Sequence, residues 1–266
     1  MEVTLITGAS GGIGESFARR LAAEKQNLLL VARSEAKLRG LCDELTAKHG
    51  IRAQYVALDL AEPGADRRLF EETRNRKLDV DWLINNAGIG SAGDFTRLDL
   101  GSELAMLNLN VTALVALTHR YLLPMRERKR GTIINVGSMA GFQPIPFMAA
   151  YAASKVFVRS FTEAITEENR PYGIRVMLLV PGATETGFFD AAKIGTDNKG
   201  VIGVRETQTP DEVVETAMNG LRDGKPMVIS GFKNALMARM GALVPNQTIA
   251  RTLAKQLGPN FQQKAI

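Results

Sequence analysis

Residues 3–14 (VTLITGASGGIG) restrict the fold of this chain more than any other stretch. The apolar, β-branched run at 3–6 is of the kind that forms a strand buried on both faces, and a glycine-dense turn follows it at once. From Ile13 to Leu21 the apolar spacing becomes helical. Gly8, Gly11, Gly12 and Gly14 let bare backbone amides approach a phosphate, with the positive end of the new helix behind them. The stretch reads as strand, turn and helix around a pyrophosphate cradle.

The rest of the composition suits such a fold. At 266 residues, 45% hydrophobic and 23% charged, the chain can bury a large core as one α/β domain. Its one cysteine, Cys42, excludes an internal disulfide and falls on an apolar helical stripe with Leu38, Leu41 and Leu45, as a core thiol would. There is no basic leader followed by an apolar segment and no run of 18 uncharged apolar residues, so a soluble, cytoplasmic protein is expected. The net charge of +5 permits an anionic partner, but the bases are scattered. The one cluster, 126–130, contains Glu127 and precedes a strand, which favours a solvated loop over a nucleic-acid patch. Neither His49 nor His119 has a second ligand at suitable spacing, so no metal site is expected.

Further strands are expected at 27–32, 52–60 (alternating), 80–84, 131–137, 174–180 and 227–230, interleaved with helical patterns at 35–49, 66–77, 102–122, around Tyr151, and at 210–221. In a dinucleotide fold the group after the second strand selects the ribose: a carboxylate suits a free 2′-hydroxyl and arginine suits a 2′-phosphate. Arg33 and Ser34 stand there, so NADP(H) is expected over NAD, although Ser34 could equally cap the helix. Asn110 interrupts the apolar face of the 102–122 helix and must find hydrogen-bond partners if buried. Ser138 ends the 131–137 strand, where open α/β sheets present ligand-facing groups. Tyr151 and Lys155 share a helix face at i and i+4, so an ammonium can lie near the phenol and favour its phenolate. Ser138 could then hold a carbonyl oxygen beside the phenol.

The T-G-x-x-x-G-x-G of Thr7, Gly8, Gly12 and Gly14, followed in order by Asn110, Ser138 and the Y-x-x-x-K of Tyr151 and Lys155, resembles the short-chain dehydrogenase/reductase family over about residues 3–231. The resemblance implies a doubly wound parallel α/β sheet (Rossmann fold) with strand order 3-2-1-4-5-6-7. It implies a catalytic tetrad of Asn110, Ser138, Tyr151 and Lys155, with Asn110 holding a relay water. It also implies NADP(H) contacts from Gly8, Ser10, Gly12, Ile13 and Gly14 at the phosphates, and from Arg33 and Ser34 at the ribose. Asp59 and Leu60 would edge the adenine, with Asn86, Ala87 and Gly88 of the N-N-A-G motif and Tyr151 and Lys155 further along. Pro181, Gly182, Thr184 and Thr186 of P-G-x-x-x-T would hold the nicotinamide end; Thr184 stands where members often have valine.

Residues 188–204 lack strong periodicity and are expected to form a mobile substrate lid. Phe188 and Phe189, with Phe142, Pro144, Phe147 and Met148, suggest an apolar pocket, or else core. From 232 to 258, Leu236, Met240, Leu243, Ile249, Leu253 and Leu257 recur at helical intervals among Lys233, Arg239, Arg251 and Lys255. This extension of the 1–231 domain is expected to pack on the body or on a partner subunit, with peripheral membrane contact the weaker alternative. The sequence thus points to an NADP(H)-dependent oxidoreductase interconverting a lipophilic ketone or aldehyde and its alcohol, as a homodimer or homotetramer. A redox-sensing or interaction protein on the same scaffold is the alternative.

Overall fold

The computed structural model describes residues 1–188, 207–241 and 243–262. Seven parallel strands, β1 (Glu2–Thr7), β2 (Leu28–Ala32), β3 (Ala53–Ala57), β4 (Asp79–Asn85), β5 (Gly131–Val136), β6 (Ile174–Val180) and β7 (Met227–Ile229), form one sheet in the order β3-β2-β1-β4-β5-β6-β7. Around it lie α1 (Gly12–Ala23), α2 (Glu35–His49), α3 (Ala65–Asn75), α4 (Leu100–Leu107), α5 (Leu114–Arg128), α6 (Ala149–Asn169), α7 (Pro210–Arg222), α8 (Phe232–Gly241) and α9 (Asn246–Gln262).

Both faces of the sheet are covered, which is why the strands read as continuous apolar runs. Ile6, Leu28 and Leu30 pack with Phe17 and Leu21 of α1, Leu38 and Leu45 of α2 and Val213 of α7. Their alternating neighbours Leu5, Leu29 and Val31 pack with Leu69 of α3, Leu117 and Tyr121 of α5 and Ile165 of α6. Cys42 is buried in the first of these layers, and burial pushes its thiol up to about 11. Thr209 caps α7 through a reciprocal capping box with Glu212.

Two helical segments differ from the expectation. The 102–122 pattern is part of a longer continuous run from Leu100 to Arg128, in which Asn108–Ala113 forms a π turn between α4 and α5. That run is apolar and long enough to cross a membrane, yet Leu117, Tyr121 and Met125 are spent on the core. The 232–258 pattern is two helices, with Pro245 just before the second, where its missing amide costs nothing and its carbonyl accepts from Thr248 N and Ile249 N. Most of the expected lid lies outside the described residues, with Phe188 its one described member.

β1 sits between β2 and β4, so the chain leaves it toward both sides, and a crevice opens beyond the carboxyl ends of the strands at that point. The Thr7 hydroxyl closes its base: it donates to Ile84 O (3.2 Å) and accepts from the amides of Asn86 (3.0 Å) and Ala87 (2.9 Å). Thr7→Val keeps the shape and removes the acceptor, leaving two amides short of a partner; we expect a loss of about 2 kcal/mol in stability. A denaturant midpoint equal to that of the parent would contradict this role for Thr7.

Candidate active site

The crevice is a cavity of about 830 Å³ running from the turn after β2 to the apolar end of α6. Its floor is the glycine turn. Gly8 adopts φ +66°, and a Cβ on Gly14 would lie 2.3 Å from Gly8 O, so helix and turn meet backbone to backbone. No side chain caps α1, and a Cβ on Gly11 would meet nothing within 4 Å, which leaves the first amides of the helix open to the crevice. Asn86 Nδ2 donates to Thr7 O (2.9 Å) and Gly8 O (3.3 Å), holding the 86–88 turn against this floor. These features fit a pyrophosphate: open amides at a positive helix end, on a turn whose glycines carry no side chain of their own.

At the outer end, Arg33, Ser34, Asp59 and Leu60 line the crevice. Ser34 occupies the cap position of α2 but makes no side-chain cap bond, so its hydroxyl is not spent on the helix. Arg33 is exposed and lies 3.9 Å from Asp59, whose other oxygen accepts from Ala61 N (2.9 Å). Lys37 lines the same end and was not expected from the sequence; its position two residues into α2 was the available signal.

At the inner end, Ser138 follows β5 and its Oγ accepts from Ala140 N (3.1 Å), opening a 3₁₀ turn at Met139–Phe142. Tyr151 and Lys155 lie one turn apart on α6, both buried. Lys155 Nζ donates to Val136 O (3.0 Å) and sits 6.0 Å from the centre of the Tyr151 ring. The ionisation balance differs from the sequence expectation. Burial pushes the Tyr151 phenol up to about 12, against a smaller downward pull from its Ser138 hydrogen bond, and burial pulls Lys155 down to about 8. Desolvation disfavours both charged forms, and the ammonium, turned to a carbonyl oxygen, does not offset it at the phenol.

Of the expected site residues, Ser10, Gly12, Ile13, Ala87, Gly88, Pro181, Gly182, Thr184 and Thr186 also line the crevice. Thr186 stands over the phosphate turn, where a Cβ on Gly12 would come within 2.8 Å of its methyl. Gly14 and Asn110 do not line it. Asn110 lies in the π turn with its side chain fully engaged, Oδ1 accepting from Ile89 N (3.0 Å) and Nδ2 donating to Ile89 O (2.9 Å) and Ser154 Oγ (3.2 Å). It fixes the backbone beside Gly88, while Lys155 Nζ would lie 3.5 Å from a Cβ there.

Around Tyr151 the walls are apolar. Ile145, Met148 and Met106 pack with it, and Leu253, Leu257 and Phe261 of α9 fold back onto the same cluster. Phe188 meets the Tyr151 ring at 5.4 Å, and Phe261 stacks on Phe147, which holds φ +66°. Met237, Ala238 and Gly241 of α8 complete the wall. The return of α9 was left open by the sequence, because an apolar helix face does not say what it covers.

Comparison with known proteins agrees with this geometry. Residues 2–196 match the family profile described as short chain dehydrogenase. A 7β-hydroxysteroid dehydrogenase of Mediterraneibacter gnavus is 32% identical over 231 residues, covering 86% of each chain. Among solved structures, a short-chain dehydrogenase from Sphingobium yanoikuyae in complex with NADPH has a TM-score of 0.82 at 31% identity, over 91% of this chain and 92% of that one. A bulky-bulky ketone specific alcohol dehydrogenase from Comamonas testosteroni has a TM-score of 0.76 at 28% identity, over 91% and 94% of the two chains. With its seven-stranded parallel sheet and a family match over most of its length, the chain belongs to the short-chain dehydrogenase family of oxidoreductases.

Proposed function

We propose that the protein is an NADP(H)-dependent reductase of bulky lipophilic ketones and, in reverse, a dehydrogenase of the corresponding alcohols. One observation carries this reading: a single crevice has cations at its outer end and, at its inner end, Ser138 beside the buried Tyr151 and Lys155 against apolar walls. The NADPH complex among the similar structures, and relatives named for a hydroxysteroid and for bulky ketones, support it.

The amides at 11–13 would hold the pyrophosphate, and Arg33, Ser34 and Lys37 the 2′-phosphate, as a fork, a hydroxyl and a point charge. Bound there, the nicotinamide nucleotide supplies the hydride. Ser138 Oγ donates to the substrate carbonyl oxygen and orients it toward the phenol. Tyr151 then gives its proton to that oxygen as the alkoxide develops, a role suited to a phenol that burial keeps protonated at neutral pH. Lys155 carries charge near the forming phenolate and helps to recover the proton. Asn110 positions the Gly88–Ile89 backbone from behind, and we assign it that part rather than direct contact with substrate. Hydrophobic walls exclude water and favour a large apolar substrate. The same reading places the protein in the cytoplasm and includes self-association: Leu104 of α4 and Val156 and Phe157 of α6 stand exposed on helices that pack together.

Three variants test the assignments. Tyr151→Phe should lower turnover of ketones by about 10²- to 10⁴-fold, read by loss of nicotinamide absorbance, while fluorescence titration shows NADPH still bound. A variant with the parent's rate would remove Tyr151 as the acid, and retained binding without turnover in the parent would favour the sensor alternative. Arg33→Asp should weaken NADPH by roughly tenfold or more and favour NADH, because it replaces a charge-assisted bond with repulsion; an unchanged ratio would place the phosphate elsewhere. Lys155→Met should raise the melting temperature at pH 7, where the parent must bury an ammonium. Between about pH 8 and the ordinary lysine value near 10.5 the unfolded parent binds more protons than the folded one, so parent stability gains with pH and the variant's advantage should shrink. A difference in melting temperature that is flat across that window would refute the buried charge.

A further inference from the structure

Helix α8 is packed opposite to the other helices of the fold. Its buried side chain is the small Ala238, and Asn234 anchors it by donating to Ser230 O (2.6 Å) and Gln208 Oε1 (3.4 Å). Its large apolar residues face outward: Phe232, Leu236, Met237 and Met240 are exposed, and beyond the helix so are Leu243 and Val244. Phe232 and Leu243 are 83% and 86% exposed, which leaves nearly their whole side chains for a partner to cover. Steps of four residues place Phe232, Leu236 and Met240 on one face. Apolar exposure of this extent marks an interaction surface rather than ordinary protein exterior.

The charge of the segment identifies what would cover it. All 28 acidic residues lie before Gly224, and the remainder of the chain carries only basic charge, with Lys233 and Arg239 on α8 itself. A second copy meeting this face about a two-fold axis would set one basic helix against another, since α8 itself carries no carboxylate. An anionic bilayer answers both features, since its acyl boundary takes the apolar side chains while its phosphates meet the lysines and arginines.

We propose that α8 and residues 243–244 dock on an anionic lipid bilayer. Met237, Ala238 and Gly241 of the same helix line the crevice, so docking sets its apolar end at the surface into which lipophilic ketones partition. That delivery rests on the reductase reading, whereas the docking does not.

The test is flotation of the full-length protein with vesicles of phosphatidylcholine alone or mixed with phosphatidylglycerol. The protein should float with the mixed vesicles, less so when salt is raised from about 0.1 M to about 1 M, and little with phosphatidylcholine alone. Phe232→Glu/Leu243→Glu, which alters only highly exposed side chains, should weaken flotation by at least about tenfold. Arg239→Gln, which leaves the apolar residues in place, should weaken it by about fivefold. The double variant should keep its NADPH titration and its turnover of a water-soluble ketone. Loss of these readouts in the parent would refute the reductase and leave the docking standing. Failure of the parent to float, equal flotation of the double variant, or a dimer in solution that the double variant splits without any vesicle binding would each overturn the docking.

Discussion

The Thr7 hydroxyl, with three hydrogen bonds between the ends of β1 and β4, is the interaction on which the rest of the site depends. It lies where the chain departs to the two sides of β1, so the turns that follow β1 and β4 diverge and must be tied at their base. Tied there, the 86–88 turn carries the Asn86 amide against Thr7 O and Gly8 O and sets the floor of the crevice. Gly14 completes the arrangement, since any larger residue would push α1 off the turn it must touch.

A second set of polar contacts braces the inner end. Asn85 Nδ2 donates to Thr118 Oγ1 (3.0 Å) and Asn135 Oδ1 (2.9 Å), and Asn135 Nδ2 donates to Thr162 Oγ1 (3.0 Å), all buried. This chain crosses from α5 through β4 and β5 to α6, the helix that carries Tyr151 and Lys155. Buried amides are costly unless paired; both side-chain amides here donate to buried acceptors, although Asn85 Oδ1 has no partner among the described residues, and these bonds hold the two helices against the sheet. Such bracing has a clear use here. Tyr151 and Lys155 are each held where their charged forms are disfavoured, and a loosely held helix would relax toward water.

Much of the fold was legible because its signals are local. Buried strands such as β2 show as unbroken aliphatic runs, and the glycine turn announces a conformation that few other residues adopt. Tyr151 and Lys155 could be paired because four residues make one helical turn. Lys37 was missed because a lysine near a helix start is ordinary until α2 is docked beside the crevice. The opposite packing of α8 was hidden too, since a regular apolar spacing predicts a covered face and cannot report that the cover is absent from the rest of the described chain.

By itself, then, the sequence determined the alternation of strands and helices, the phosphate turn and the order of the polar residues along the chain, since each depends on neighbours within a few positions. The tertiary structure alone decided that Asn110 is bonded behind the crevice, that α9 returns to the apolar cluster that contains Tyr151, and that desolvation outweighs the lysine at the phenol. These outcomes depend on burial and on contacts between residues far apart in the chain, and local spacing carries no information about either.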